Sequence, residues 1–313
     1  MTSQSGAQSS VRQQVERLLV TNLRTGTDRL TGFRYRYLCP SPQKRHAQWF
    51  WDSCFHAIAT AHVDPSHAVA ELKTLIARQD GDGFIGHMTH WRRGPTLRDA
   101  WTGVQSRRLF SPRHSALIQP PMLAQAVERV AEVTRDVSMP LGFMEPLDRY
   151  HNWLGTHRAV SDDGLLVTIT PDESGTGQSP TCDEALGITK ARPKALTLDA
   201  KARWLDLHGA LAGHDQAKLV SRGRFHVKDP LVNALYADSL ATMSRLHKAQ
   251  GAANVADAYA AQAALVTDSL LAHLYSREHG AFFALAGHDE RRVIEALCPS
   301  IQLDFIREEA VNP

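Results

Sequence analysis

A chain of 313 residues with 43% hydrophobic side chains has apolar material for one large core or two ordinary ones. Its 35 basic and 33 acidic residues leave a formal net charge of +2, too evenly balanced for broad nucleic-acid binding, which needs concentrated positive charge. Residues 1–10 are polar and hold no apolar run, so no secretory signal or membrane span is read there, and Cys39, Cys54, Cys182 and Cys298 lack metal or disulfide spacing and read as reduced thiols of a cytoplasmic protein.

Helical period dominates the chain. Ser10 to Gln13 resembles a capping box, and Val11, Val15, Leu18 and Leu19 follow on one face. Trp49 to Ile58 reads as the start of a second helix, with Trp51, Cys54, Phe55 and Ile58 on a core face. Trp49, Asp52 and His56 fall on another face. That pairing reads two ways: an indole to stack on a sugar beside a carboxylate to accept from its hydroxyls, or a core tryptophan and a helix-start acid. Asp64-Pro65 marks a helix start, with the stripe Ala68, Leu72, Leu75 and Ile76 behind it.

The glycines around Asp82 predict a tight reversal, in which Asp82 either orients a ligand or forms the turn. His87 and His90 lie three apart without a third ligand at metal spacing, so no metal is expected. Neither a P-loop nor a dinucleotide fingerprint is present, and no cofactor is expected. Leu123, Ala126, Val127, Val130 and Val133 form another stripe. Val232, Leu235, Tyr236, Met243 and Leu246, then Val255, Ala258, Tyr259, Val266 and Leu270, predict two antiparallel helices joined around Gly251. Only Leu165 to Thr170 reads as a β run, with nothing nearby to complete a sheet. The expected class is all-α, built from helix pairs.

Two long irregular segments interrupt the helices, and such loops are usually functional. The first, about 92–121, carries Arg92, Arg93, Arg98, Arg107, Arg108 and Arg113, either a solvated surface or an anion site. The second, about 171–193, packs Asp172, Glu173 and Asp183 among Gly, Ser and Pro residues. Clustered carboxylates near aromatic side chains suit the binding and cleavage of sugars.

Together these motifs become specific. Gln48-Trp49-Phe50-Trp51-Asp52-Ser53-Cys54-Phe55-His56-Ala57 resembles the first-helix signature of glycoside hydrolase family 63, and within it the mannosylglycerate and glucosylglycerate hydrolase-like group. Asp82-Gly83-Phe84-Ile85 with His87, Met88 and Trp91, then Gln119-Pro120-Pro121, the loop from Pro171 to Asp183, and Asp229 to Leu235 are similar to further motifs of that group, in the same order, over roughly 45–300.

The resemblance implies one six-hairpin (α/α)6 toroid over 1–313, a small carbohydrate ligand, and inverting hydrolysis of a small α-glycoside of the glucosyl- or mannosylglycerate type. It implies substrate contacts from Trp49, Trp51, Asp52, Asp82, His87, Gln119 and Glu173. It places the family's general acid at Gly177, which has no proton to give, so Asp172, Glu173 and Asp183 are the neighbouring candidates for catalysis. The family's general-base segment has no counterpart before Pro313. The resemblance therefore implies a ring lacking its last helix pairs, self-associating through an open end, and leaves open a carbohydrate-binding protein without catalysis.

Overall fold

Helices form where the apolar period runs at three to four residues, and pairs of them make up most of the molecule. The computed structural model describes residues 13–28, 31–43, 45–91, 104–106, 114–176, 179–188 and 195–293. Helix α1 (residues 13–22) leaves Leu18 and Val20 exposed; the Ser10 and Val11 parts of its expected cap and stripe lie outside the described residues.

Strands β1 (Leu23–Thr27) and β2 (Arg34–Leu38) follow as an antiparallel hairpin pairing Leu23 with Leu38. These two strands are not among the predicted elements, and the chain remains mostly helical. Gly32 reverses the chain at φ 72°, and Tyr35 lays its ring on Trp91 with centroids 5.1 Å apart. An alternation only five residues long, spaced by arginines, gives little signal on its own.

A two-residue strand β3 (Gln48–Trp49) leads into α2 (Phe50–Ala61), and α3 (Pro65–Ile76) packs back against it. Asp64 caps α3 as expected, its Oδ1 accepting from the His67 amide at 3.0 Å, with Pro65 in the first turn. Strand β4 (Met88–Thr89) pairs with β3, and α4 (Leu123–Thr134) carries its predicted stripe into the core.

Helix α5 (Met144–His157) buries Leu147, Tyr150, Trp153 and Leu154. Helices α6 (Ala195–Leu211) and α7 (Gln216–Arg222) precede the strand β5 (Val227–Lys228). Then α8 (Pro230–Ala249) and α9 (Ala253–Ser269) form the predicted hairpin, turning at Gly251 with φ 77°. The buried face of α9 keeps part of the predicted stripe: Val266 and, just past the helix end, Leu270 are buried, and Tyr259 is partly buried against the core. Ala256, Ala263 and Ser269 complete that face, while Val255 and Ala258 are exposed.

One core joins α2, α3, α4, α5, α8 and α9. A smaller cluster of Cys182, Phe225, Val227, Ala284, Ala286 and Val293 lies at the sheet of β5 with β8 (Leu285–Ala286) and β9 (Arg291–Arg292); strands β6 (Tyr275–Ser276) and β7 (Ala281–Phe282) pair separately. Residues 165–170, read as a strand, form among the described residues an isolated bridge, Thr168 to Val227, and no ladder. A side chain replaces the missing neighbour. The Asn233 carboxamide accepts from the Leu166 amide at 2.6 Å and donates to its carbonyl at 3.0 Å.

Candidate active site

The resemblance motifs are far apart in sequence, and short backbone pairings stitch them together. Strand β3 pairs Gln48 with Thr89 and Trp49 with Met88. The Phe50 amide then donates to the His87 carbonyl, and the His87 amide to the Leu117 carbonyl at 2.7 Å. Segment 114–119 thereby lies beside β4 and presents Gln119 to the first turn of α2. The Gln119 Oε1 accepts from the Trp51 amide at 3.1 Å, satisfying one of the orphan donors at that helix start. Its amide nitrogen has no hydrogen-bond partner among the described residues.

The loop of Pro171 to Gly175 closes over the same helix end. Gly175 sits at φ 74°, and a Cβ there would lie 2.7 Å from the Trp51 indole. Only glycine allows this loop to rest on the ring. Trp49 is half-buried, with the His87 ring edge-on at 5.2 Å and the Arg45 guanidinium 5.2 Å from its centroid. Arg45 also acts on two carboxyls, Asp52 and Asp172, and pulls both down. Trp49, Trp51, Asp52, Gln119 and Asp172 therefore share one neighbourhood.

The two half-buried carboxyls are both difficult to ionise. Burial raises Asp52 above the ordinary carboxylate range, opposed first by His56 and also by Arg45 and Trp51. Asp172 is pushed up to about 6, first by burial and then by the charges of Asp206, Glu173 and Asp199. Asp206, on α6, is itself buried and accepts from Gln105 at 2.8 Å.

Two expected substrate contacts are corrected. Glu173 is fully buried, and its four acceptor positions are taken: Arg158 binds it through two nitrogens at 2.6 and 2.7 Å, and the amides of Ile118 and Ile169 donate at 3.0 and 2.7 Å. It holds the loop against segment 117–119 and leaves no oxygen for a sugar. His87 is likewise buried beneath Trp49, its Nδ1 2.5 Å from the Ser115 hydroxyl. Burial and the nearby His90 drop its pKa to about 3, so the ring is neutral.

Asp82 is exposed, and its Oδ1 accepts from the Phe84 amide at 3.1 Å, which is the turn-forming geometry. Asp183 is buried behind the loop. Phe55, assigned to the core, is 48% exposed, because the α2 face that meets α3 and α4 is the one through Ser53, Cys54 and Ala57. Gly177, the acid position, lies outside the described residues, as do Arg92, Arg93, Arg98, Arg107, Arg108 and Arg113.

Sequence reasoning passed over Arg158, Arg45 and Asp206. Arg158 reaches Glu173 across 15 residues and Asp206 pairs with Gln105 across 101, while Arg45 acts on nearby Trp49 and Asp52 as well as on distant Asp172; an arginine or aspartate in an otherwise polar stretch gives no local signal of such a role. Cys39, Cys54 and Cys182 are free and buried, and Cys298 lies outside the described residues. No helix among the described residues is long and apolar enough to cross a membrane.

This arrangement has counterparts. Residues 44–298 match the model of the mannosylglycerate hydrolase MGH1-like glycoside hydrolase domain. Mannosylglycerate hydrolase MGH2 of Selaginella moellendorffii is 28% identical over 225 residues, which cover 64% of this chain and 45% of that protein. The glucosylglycerate hydrolase of Mycolicibacterium hassiacum is 30% identical over 155 residues, covering 44% and 34% respectively. The chain thus spans less than half the length of these curated relatives. The crystal structure of the GH63 mannosylglycerate hydrolase from Thermus thermophilus, in complex with Tris and D-glycerate, superposes with a TM-score of 0.75 at 21% identity, covering 90% of this chain and 69% of that one. That likeness gives the helix pairs their fold, the six-hairpin glycosidase fold. With most of its length matched by the family model, the chain belongs to the mannosylglycerate hydrolase MGH1-like glycoside hydrolase family.

Proposed function

We propose that the neighbourhood of Trp49, Trp51, Asp52, Gln119 and Asp172 binds a small α-glycoside of the mannosyl- or glucosylglycerate type, and that the protein works as a glycoside hydrolase. The observation that carries this reading is the convergence of those five residues at one helix start, inside the segment matched to the hydrolase family. The indole faces offer apolar surface to sugar C–H groups. Asp52 supplies acceptors for hydroxyls, and the Gln119 amide, without a partner among the described residues, supplies a donor.

Inverting hydrolysis needs a carboxylic acid to protonate the leaving oxygen and a carboxylate to activate water on the opposite face. Asp172, pushed up to about 6, is the carboxyl here whose proton persists closest to neutral pH, which is the property an acid catalyst needs. It stands five positions before Gly177, where the resemblance puts the family's acid.

Gly177 also favours a second reading, binding without turnover. The test is glycerate release from mannosylglycerate and glucosylglycerate, paired with calorimetry on the same compounds. Turnover that falls roughly 10²–10⁴-fold in Asp172→Asn supports hydrolysis with that acid. Binding without release supports the second reading. No release and no heat from either compound would sink both.

A further inference from the structure

Behind Asp52 lies a second carboxylate that the proposed hydrolysis does not use. Glu71, on α3, is fully buried against α2. Its Oε2 accepts from the Leu38 amide at 2.8 Å and lies 3.2 Å from His67 Nε2. Its Oε1 accepts from the Ser53 hydroxyl at 2.7 Å and keeps one lone pair. That lone pair has a candidate donor. His56 Nδ1 is 3.7 Å away, buried, and without a hydrogen-bond partner among the described residues.

His56 is four residues after Asp52, so the two side chains are neighbours on one face of α2. The imidazole is the first of the side chains that draw the Asp52 carboxyl down. Cys54, on the buried side of the same turn, feels both Asp52 and Glu71, which places the two acids within electrostatic reach of one helical turn. Among the described residues, the charged groups placed beside His56 are Asp52 from its own helix and Glu71 from α3. His67 stands beyond Glu71, and Arg45 reaches Asp52 from the segment before β3.

We infer that His56 is a positioning residue that links the half-buried Asp52 to the buried Glu71. Once protonated, its ring completes an ion pair with Glu71 and presents positive charge to Asp52. A ligand whose hydroxyls bind ionised Asp52 thus favours the charged ring, and the charged ring favours the ligand. The inference rests on the proposed role of Asp52 only for its effect on binding; the coupling itself is a property of the free protein.

The experiment is a ¹³C titration of the Asp52 carboxyl in the ligand-free protein, for wild type, His56→Gln and His67→Gln. Loss of the His56 cation moves the Asp52 midpoint up, while His67→Gln, which touches the same Glu71, leaves it in place. In wild type the Asp52 signal carries a second step at the pH where the His56 ring protons titrate. That measurement decides the matter even where His56→Gln fails to fold. A single-step wild-type curve, or an unmoved midpoint in folded His56→Gln, overturns the inference.

Calorimetry with mannosylglycerate then gives a roughly tenfold loss of affinity for His56→Gln. The same change in an Asp52→Asn background costs nothing further, and an equal cost there overturns the link. Wild type that binds no mannosylglycerate refutes the functional reading, while the titration still judges the coupling.

Discussion

Asp172 and Glu173 are consecutive carboxylates of one loop, and they meet different surroundings. Glu173 points inward to a fully buried arginine and two backbone amides, so every lone pair is used. Asp172 is only half-buried, faces more acids than bases, and holds its proton to about pH 6. The short 3-10 turn of Pro171–Ser174 sets this division, because successive side chains there project about a third of a turn apart. A buried carboxylate with a matched partner serves architecture. One that is desolvated without a matched partner keeps its proton and is available for chemistry.

The largest expected effect comes from breaking the inward side. Glu173→Ala leaves the Arg158 guanidinium buried without its counter-charge, which costs about 3–5 kcal/mol. Denaturant unfolding checks it, and Arg158→Met should cost a similar amount. A loss under about 1 kcal/mol in both would show that water replaces the partner and that the loop is not sealed. Next in size is Gly175→Ala. The new methyl would meet the Trp51 ring at 2.7 Å in a left-handed conformation, so stability falls by about 1–3 kcal/mol. The loop should also lift from the ring, raising Trp51 fluorescence exposure to quenchers.

These two positions also show what a sequence can and cannot disclose. The Asp64-Pro65 start, the stripe of α4 and the turn at Gly251 are local rules, and the structure keeps all three. The Glu-Ser-Gly run is legible as a motif, but its inward half is not. Glu173 is sealed by Arg158, 15 residues earlier, and by the Ile118 amide, 55 residues earlier. His87 is withdrawn from the site by Ser115, 28 residues on. Local spacing marks which residues gather at a site. Which of them face the ligand depends on partners that tertiary contact supplies.

The outward side is tested by pH. The Asp172 carboxyl has a folded-state pKa of about 6 against an ordinary value of 3.8, so the folded form binds its proton more tightly than the unfolded chain. Its contribution to stability is fully present below about pH 4 and is lost as pH rises through about 6. Asp172→Asn removes the ionised form, so the variant should match wild type near about pH 4 and exceed it at about pH 8. The gain is on the order of 1–2 kcal/mol once solvent screening of a half-buried group is allowed for. Thermal melts at the two pH values check this, and a variant less stable than wild type at the higher pH would mean that Arg45 compensates the charge fully.

The smallest effect belongs to an acid on neither side of that loop. The resemblance implies a sugar contact at Asp82, yet its exposed carboxylate accepts from the Phe84 amide and shapes a turn. Asp82→Ala removes one exposed acceptor and should cost about 0.5–1 kcal/mol, with Asp82→Asn recovering most of it because an amide oxygen can accept the same bond. Mannosylglycerate affinity should be unchanged in both. A fall in affinity in Asp82→Asn without a fall in melting temperature would move Asp82 back among the ligand contacts, since the turn would be intact and only the charge missing.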